Sequence, residues 1–257
     1  HDPLAQPAVD HQGKRAVIYV SVDEPTEGIE TMIQADRFYT VTDYEDGKVP
    51  LAEIDKRALA RPLLPIYHFS RSMVADRPNQ PRLTYANIAD GIEQMITSVR
   101  GQPEPDLIVI DYLQNMPIEK STERVIQVIE ATLKARELCL KLKAKLIVCA
   151  QAGFDTLKRN FKVPMMQDAQ WGSIVSQEAD IFLGWWRPKV TDMDKTSIEL
   201  PDGSQILIED DLAILGLAKQ RKKAAGKSFV LRFNMGTLDL ADYTCSCGGK
   251  NLWNNKE

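Results

Sequence analysis

Short continuous apolar runs alternate with stretches of helical periodicity along this chain. That alternation predicts an α/β domain with a mainly parallel sheet. The run AVIYVS (16–21) is the first predicted strand, and a helix is expected from Pro25, a residue suited to a first helical position. A second strand falls in LLPIYHF (63–69), and the connection before it, with Asp43, Asp46 and Gly47, reads as a loop. Thr84 is placed to cap the next helix, in which Ile88, Ile92, Met95, Ile96 and Val99 recur at helical spacing before Gly101 and Pro103 end it. DLIVID (106–111) and LIVCAQ (146–151) are apolar runs without alternation, the pattern of strands buried on both faces. Between them a long helix is expected over 123–143, with Val125, Ile129, Leu133 and Leu140 among its apolar positions.

Further on, a polar loop (152–170) leads to DIFLGWW (180–186), a hairpin turn at Pro201-Asp202-Gly203, LAILGLAKQ (212–220) and SFVLRFN (228–234). Short turns between these runs predict that the parallel core gives way to antiparallel C-terminal strands.

Composition narrows the function classes. A chain of 257 residues is one large domain or two small ones, long enough to bury a core without disulfides or metals. A formal net charge of −4 excludes a global electrostatic pull toward nucleic acid. Any such contact falls to two local clusters: Lys158, Arg159 and Lys162, then Lys219, Arg221, Lys222, Lys223 and Lys227. No run approaches the roughly 20 apolar residues of a membrane helix, and the opening HDPLAQPAVD lacks the pattern of a signal peptide. With only four cysteines, this points to the cytoplasm. Cys139 and Cys149 sit in apolar text and read as buried thiols. Cys245 and Cys247 are half a zinc site without a second pair, so 244–257 is expected to be a flexible, reduced tail.

The chemistry begins with an absence: the text contains no G-x-x-x-x-G-K-[ST] phosphate loop, and Gln12-Gly13-Lys14-Arg15 lacks the first glycine and the hydroxyl residue. Asp111 ends a predicted buried strand, and the carboxyl edge of an open α/β sheet is where ligands bind. There the acid either orients the shell of a magnesium ion or merely ends a strand; its spacing alone leaves both open.

The segment DLIVIDYLQNM, with Tyr112, Leu113 and Gln114 directly after the acid, resembles the Walker B segment of DnaB-type replicative helicases. LTYANIADGIEQMI before it resembles the helix leading into that strand. AVIYVSVDEP resembles the family's strand ending in Ser-x-Glu, with Asp23 at the position of the acid and Glu24 next to it. LIVCAQ resembles the strand ending in Ser-Gln, with Gln151 as the glutamine, although Ala152-Gly153-Phe154 follows where the family has Leu-Asn-Arg. Gln177, Glu178, Ala179 and Asp180 match a further motif, while Asp168-Ala169-Gln170 departs from the family's Asp-Leu-Arg. LAKQRKKAAGKSFVLRFN resembles the Lys-Gln-Arg hairpin and the strand after it. The likeness runs from Gly13 to Tyr243, with a longer hairpin than usual near 196–209.

The resemblance implies a RecA-like P-loop NTPase core over 1–243, incomplete at its N-terminal side, that binds ATP and Mg²⁺. Asp111 would hold Mg²⁺ through water, and Asp23 or Glu24 would activate the attacking water. Gln151 would sense the γ-phosphate. Lys219 and Arg221 would act as fingers on the next subunit's nucleotide. Lys158, Arg159 and Lys162 would face single-stranded DNA. The implied partners are further copies in a hexameric ring moving 5′ to 3′, and a helicase loader or primase. A chain beginning with His is also expected to continue upstream. Two other readings stay open: a RecA, RadA or KaiC-like ATPase of recombination or signalling, and an assembly subunit without a phosphate loop.

Overall fold

The computed structural model describes residues 14–21, 23–36, 38–60, 65–70, 88–98, 102–115, 123–169, 174–222 and 224–243. The expected caps and stops at Thr84 and Gly101, the residue Gln170 and the tail with Cys245 and Cys247 lie outside them.

Strands β1 (Arg15–Ser21), β2 (Ile66–Phe69), β3 (Glu104–Asp111) and β4 (Lys145–Val148) form a four-stranded parallel sheet in the order β2-β1-β3-β4. The expected parallel core is thus borne out. Alternation along β1 sends Ala16, Ile18 and Val20 to one face, where Ile108 and Ile110 of β3 join them. Helices α4 (Ile88–Ser98) and α5 (Arg124–Leu142) cover that face with Ile92, Ile96, Val128, Ala131, Ala135 and Leu138. Each fully buried isoleucine stabilises the layer by about 1.5–3 kcal/mol.

Three sequence expectations are corrected. The segment read as a loop around Asp43 and Asp46 holds α2 (Val41–Glu45) and α3 (Leu51–Ala60), after α1 (Thr26–Gln34), for which Pro25 is the N-cap residue. Thr40 and Asp43 close a reciprocal capping box at the start of α2, which gives so short a helix its start. In α5 the buried stripe is Val128, Ala131, Ala135 and Leu138, whereas Val125, Leu133 and Leu140 are exposed. The two alanines, having little side chain, let this face of the helix approach the sheet. Third, β4 stops at Val148 rather than Gln151, and its residues are half-buried or exposed instead of covered on both faces. Among the described residues no strand pairs with its outer edge, and Ile147 is 52% exposed.

The second sheet is antiparallel, in the order β10-β9-β8-β5: β5 (Ile181–Trp186), β8 (Leu212–Gln220), β9 (Lys227–Phe233) and β10 (Leu240–Asp242). The helices α6 (Ile174–Glu178) and α7 (Pro188–Thr191) flank β5 in sequence. The predicted hairpin at Pro201-Asp202-Gly203 joins β6 (Ser197–Glu199) to β7 (Gln205–Leu207), with Gly203 at φ +83°. Gly184 and Gly216 are register partners on β5 and β8. A Cβ at Gly184 would lie 2.0 Å from the Pro164 carbonyl oxygen, and one at Gly216 would lie 2.5 Å from Val163 Cγ1. The loop after β4 therefore packs directly on glycine backbone.

Candidate functional site

The parallel register sets Ser21 beside Asp111 at the carboxyl ends of β1 and β3. Asp111 Oδ2 accepts a hydrogen bond of 2.8 Å from the Tyr19 hydroxyl. Burial first, then the hydrogen bond to Asp111 and the charges of Asp111, Cys149 and Glu24, push the Tyr19 phenol far above its ordinary range. Tyr19 is accordingly a permanent donor. Among the described residues no Lys or Arg forms an ion pair with Asp111.

The chain then makes a single 3₁₀ turn, Leu113–Asn115, which stitches the site together. Leu113 is buried, and its N–H donates to the Cys149 carbonyl at 2.9 Å. The Cys149 N–H in turn donates to the Ile110 carbonyl at 2.9 Å, so the ends of β3 and β4 are locked in step. The buried Gln114 amide clamps the backbone of Gln151: its Oε1 accepts from the Gln151 N–H at 3.3 Å and its Nε2 donates to the Gln151 carbonyl at 3.4 Å. That leaves the exposed Gln151 side chain held at its base. Asn115 Nδ2 donates to Asp23 Oδ1 at 3.0 Å. The Glu24 N–H donates to the buried Ser21 Oγ at 3.1 Å, fixing the turn into α1. The structure therefore brings Asp23, Glu24, Asp111 and Gln151 to one sheet edge.

Lys219 and Arg221 lie at and just past the end of β8. Lys219 Nζ donates to the carbonyls of Ser176 (2.7 Å) and Gln177 (2.8 Å) at the end of α6. Arg221 donates to the carbonyls of Gln177 (3.2 Å) and Glu178 (3.4 Å) and pairs with Asp180 at 3.2 Å. Cations satisfy the orphan carbonyls of a helix C-terminus well. The Gln177–Asp180 motif is thus the cradle for these two side chains within their own chain, and among the described residues no contact joins them to Asp111.

The loop after Gln151 is a pair of 3₁₀ turns, Phe154–Lys158 and Met166–Asp168, pinned by the Ala152–Ala169 bridge. Its three predicted DNA-facing cations are placed differently. Lys158 is exposed and pairs with Asp155 at 2.5 Å, and Arg159 pairs with Asp168. Lys162 is buried against Asp192 at 2.6 Å, so its ammonium is withdrawn from the loop surface, contrary to the sequence expectation. Phe154, which charge counting passed over, is 80% exposed on the same loop. Asn115 and Tyr19 were also missed. Their partners lie 92 positions away in each case, and no local pattern announces them.

A family model described as the DnaB-like helicase C terminal domain matches residues 6–240. The chain belongs to that family. A probable replicative DNA helicase of Trieres chinensis is 26% identical over 139 residues, which are 53% of this chain and 28% of that protein. The chain thus matches under a third of that relative's length. Among solved structures, one described as an ATPase domain superposes with a TM-score of 0.67 at 17% identity, covering 89% of this chain and 75% of the other. A DnaB-like replicative helicase, described with its interactions with primase, gives 0.66 at 17% identity over 89% and 52% of the two chains. These likenesses establish the RecA-like fold of this DnaB-like domain. Among the described residues no helix is long and apolar enough to cross a membrane.

The site can also be tested for a metal. Among the described residues no three ligating side chains converge into a cage. A half-buried carboxylate at a sheet edge, without a protein cation, suits Mg²⁺, which keeps several waters and takes its remaining ligands from phosphates. The donor set therefore fits Mg²⁺ held through water.

Proposed function

We propose that this DnaB-like domain is the motor of a replicative DNA helicase, hydrolysing ATP with Mg²⁺ to move along single-stranded DNA. The observation that carries the reading is the Leu113–Asn115 turn, which follows Asp111 in the chain and hydrogen-bonds both Asp23 and Gln151. Bound Mg²⁺ would neutralise charge on the phosphates. Asp111 would orient the water shell of that ion. Asp23 or Glu24 accepts a hydrogen bond from the attacking water and polarises it. The Gln151 amide can donate to a phosphate oxygen, and its clamped backbone passes a shift there into the loop that follows.

That loop offers single-stranded DNA the exposed Phe154 ring for stacking and Lys158 and Arg159 for phosphates. Lys219 and Arg221 would leave the α6 carbonyls to stabilise charge at the nucleotide of a neighbouring copy in a hexameric ring. The domain would span 1–243, work in the cytoplasm and meet a loader or primase. The reading requires a phosphate-binding loop, and the β4 edge, unpaired among the described residues, is where a strand carrying one would fit.

The test is DNA-stimulated ATP hydrolysis by the full-length protein. Asp111→Asn is expected to lower it by about two orders of magnitude or more. An unchanged rate would overturn the motor reading. Failure of the full-length protein to bind nucleotide would favour an assembly subunit instead.

A further inference from the structure

Strand β1 places Tyr19 where its hydroxyl has one use. Alternation puts Ala16, Ile18 and Val20 in the core and Val17, Tyr19 and Ser21 on the opposite face. Tyr19 is paired with Val109 and Ser21 with Asp111, so Tyr19 lies diagonally behind Asp111 on the same face. The ring spans that diagonal, and its oxygen comes within 2.8 Å of Asp111 Oδ2. Packing alone would be served by phenylalanine. A half-buried hydroxyl left without a partner costs free energy, and here the partner is the acid itself.

We propose that Tyr19 is a positioning residue for Asp111: by holding Oδ2 it fixes the plane of the carboxylate and leaves Oδ1 to the hydrated Mg²⁺. The inference rests on the reading of Asp111 as the magnesium-orienting acid. Among the described residues no other side chain hydrogen-bonds this carboxylate, and the one that does comes from a neighbouring strand. Partners of this kind around metal-orienting groups typically change metal affinity without touching the metal.

The experiment is a titration of Mn²⁺, as a probe for Mg²⁺, into the full-length protein with a non-hydrolysable ATP analogue. Free Mn²⁺ is read by electron paramagnetic resonance, with circular dichroism as the check on folding. Tyr19→Phe, which keeps the ring, is expected to weaken Mn²⁺ binding about tenfold. The Mg²⁺ concentration for half-maximal ATP hydrolysis should rise by a similar factor. In an Asp111→Asn background the same substitution should add nothing, because its effect passes through that carboxylate. Unchanged Mn²⁺ binding in Tyr19→Phe, with binding lost in Asp111→Asn, overturns the role of Tyr19 alone. So do additive effects of the two substitutions. Unchanged binding in Asp111→Asn overturns the underlying assignment of Asp111.

Discussion

Lys162 Nζ and Asp192 Oδ1 lie 2.6 Å apart, with only 8% and 2% of the two residues exposed. Lys195 approaches the same carboxylate at 2.8 Å, and Thr191, which also accepts from the Trp186 indole N–H, donates to its other oxygen. Removing Lys162 leaves the buried carboxylate to the more exposed Lys195 and to Thr191, a loss bounded above by the about 3–5 kcal/mol of a stranded buried charge. Lys162→Met should therefore lower the urea midpoint markedly while leaving affinity for single-stranded DNA, measured by anisotropy, unchanged. Burial alone would raise the Asp192 pKa, but hydrogen bonds from Lys162, Lys195 and Thr191 outweigh it and hold the carboxyl below the usual range. A depressed carboxyl contributes stability above its unfolded pKa of about 3.9 and loses it as pH falls through the lower folded value. Asp192→Asn should flatten the dependence of stability on pH below about 4.

Cys149 belongs to the same edge as Asp111. The residue as a whole is exposed, yet burial of its thiol and then the Asp111 charge push the thiol up to about 11. The thiolate is the reactive form, so maleimide labelling of Cys149 should be slow at pH 7 and should climb about tenfold per pH unit toward pH 10. Asp111→Asn should speed it at fixed pH. Rapid, pH-independent labelling would contradict the crowding at this edge.

Lys219 and Arg221 make their contacts within the chain, so a role in trans makes a specific demand. Arg221→Ala should cut ATP hydrolysis by about 10³-fold in the intact protein. Mixing Arg221→Ala subunits with Asp111→Asn subunits should restore part of the activity, since each supplies what the other lacks. A mixture as inactive as its components would confine both side chains to the α6 carbonyls.

The glycine pair on β5 and β8 separates two kinds of crowding. Gly184→Ala would drive a methyl group against the Pro164 carbonyl, backbone that cannot step aside, and should destabilise by about 3 kcal/mol. Gly216→Ala meets the tip of Val163 instead. Its cost, about 1–3 kcal/mol, should be relieved by Val163→Ala in the same chain, whereas Gly184→Ala should not be rescued. Chemical denaturation of the four variants checks this.

The strands of the parallel sheet, and Asp111 at the end of one of them, were legible in the sequence, because DLIVID and AVIYVS carry their apolar pattern locally. Asp111 was read from the end of its apolar run and Asp23 and Gln151 from the family resemblance; the turn after Asp111 hydrogen-bonds the latter two. What was missed depends on contacts distant in sequence. The stripe of α5 could not be chosen from its period, since Val125, Leu133 and Leu140 offered an equally apolar face and only the sheet decided for Val128 and Leu138. Lys162 looked like its neighbours Lys158 and Arg159 until Asp192, 30 residues on, claimed it. Helix α2 was the avoidable error, because Thr40-Val41-Thr42-Asp43 is a capping-box text with Asp in place of Glu.

The outer edge of β4 has a colloidal consequence. Among the described residues it presents an unpaired backbone ladder beside the exposed Ile147, with Lys145 as the charge on the strand. Two such edges are self-complementary templates, and one lysine is a weak gatekeeper against their meeting. Wherever that edge is left bare, the concentration at which this chain stays monodisperse is set less by its net charge than by how quickly another strand finds those four residues.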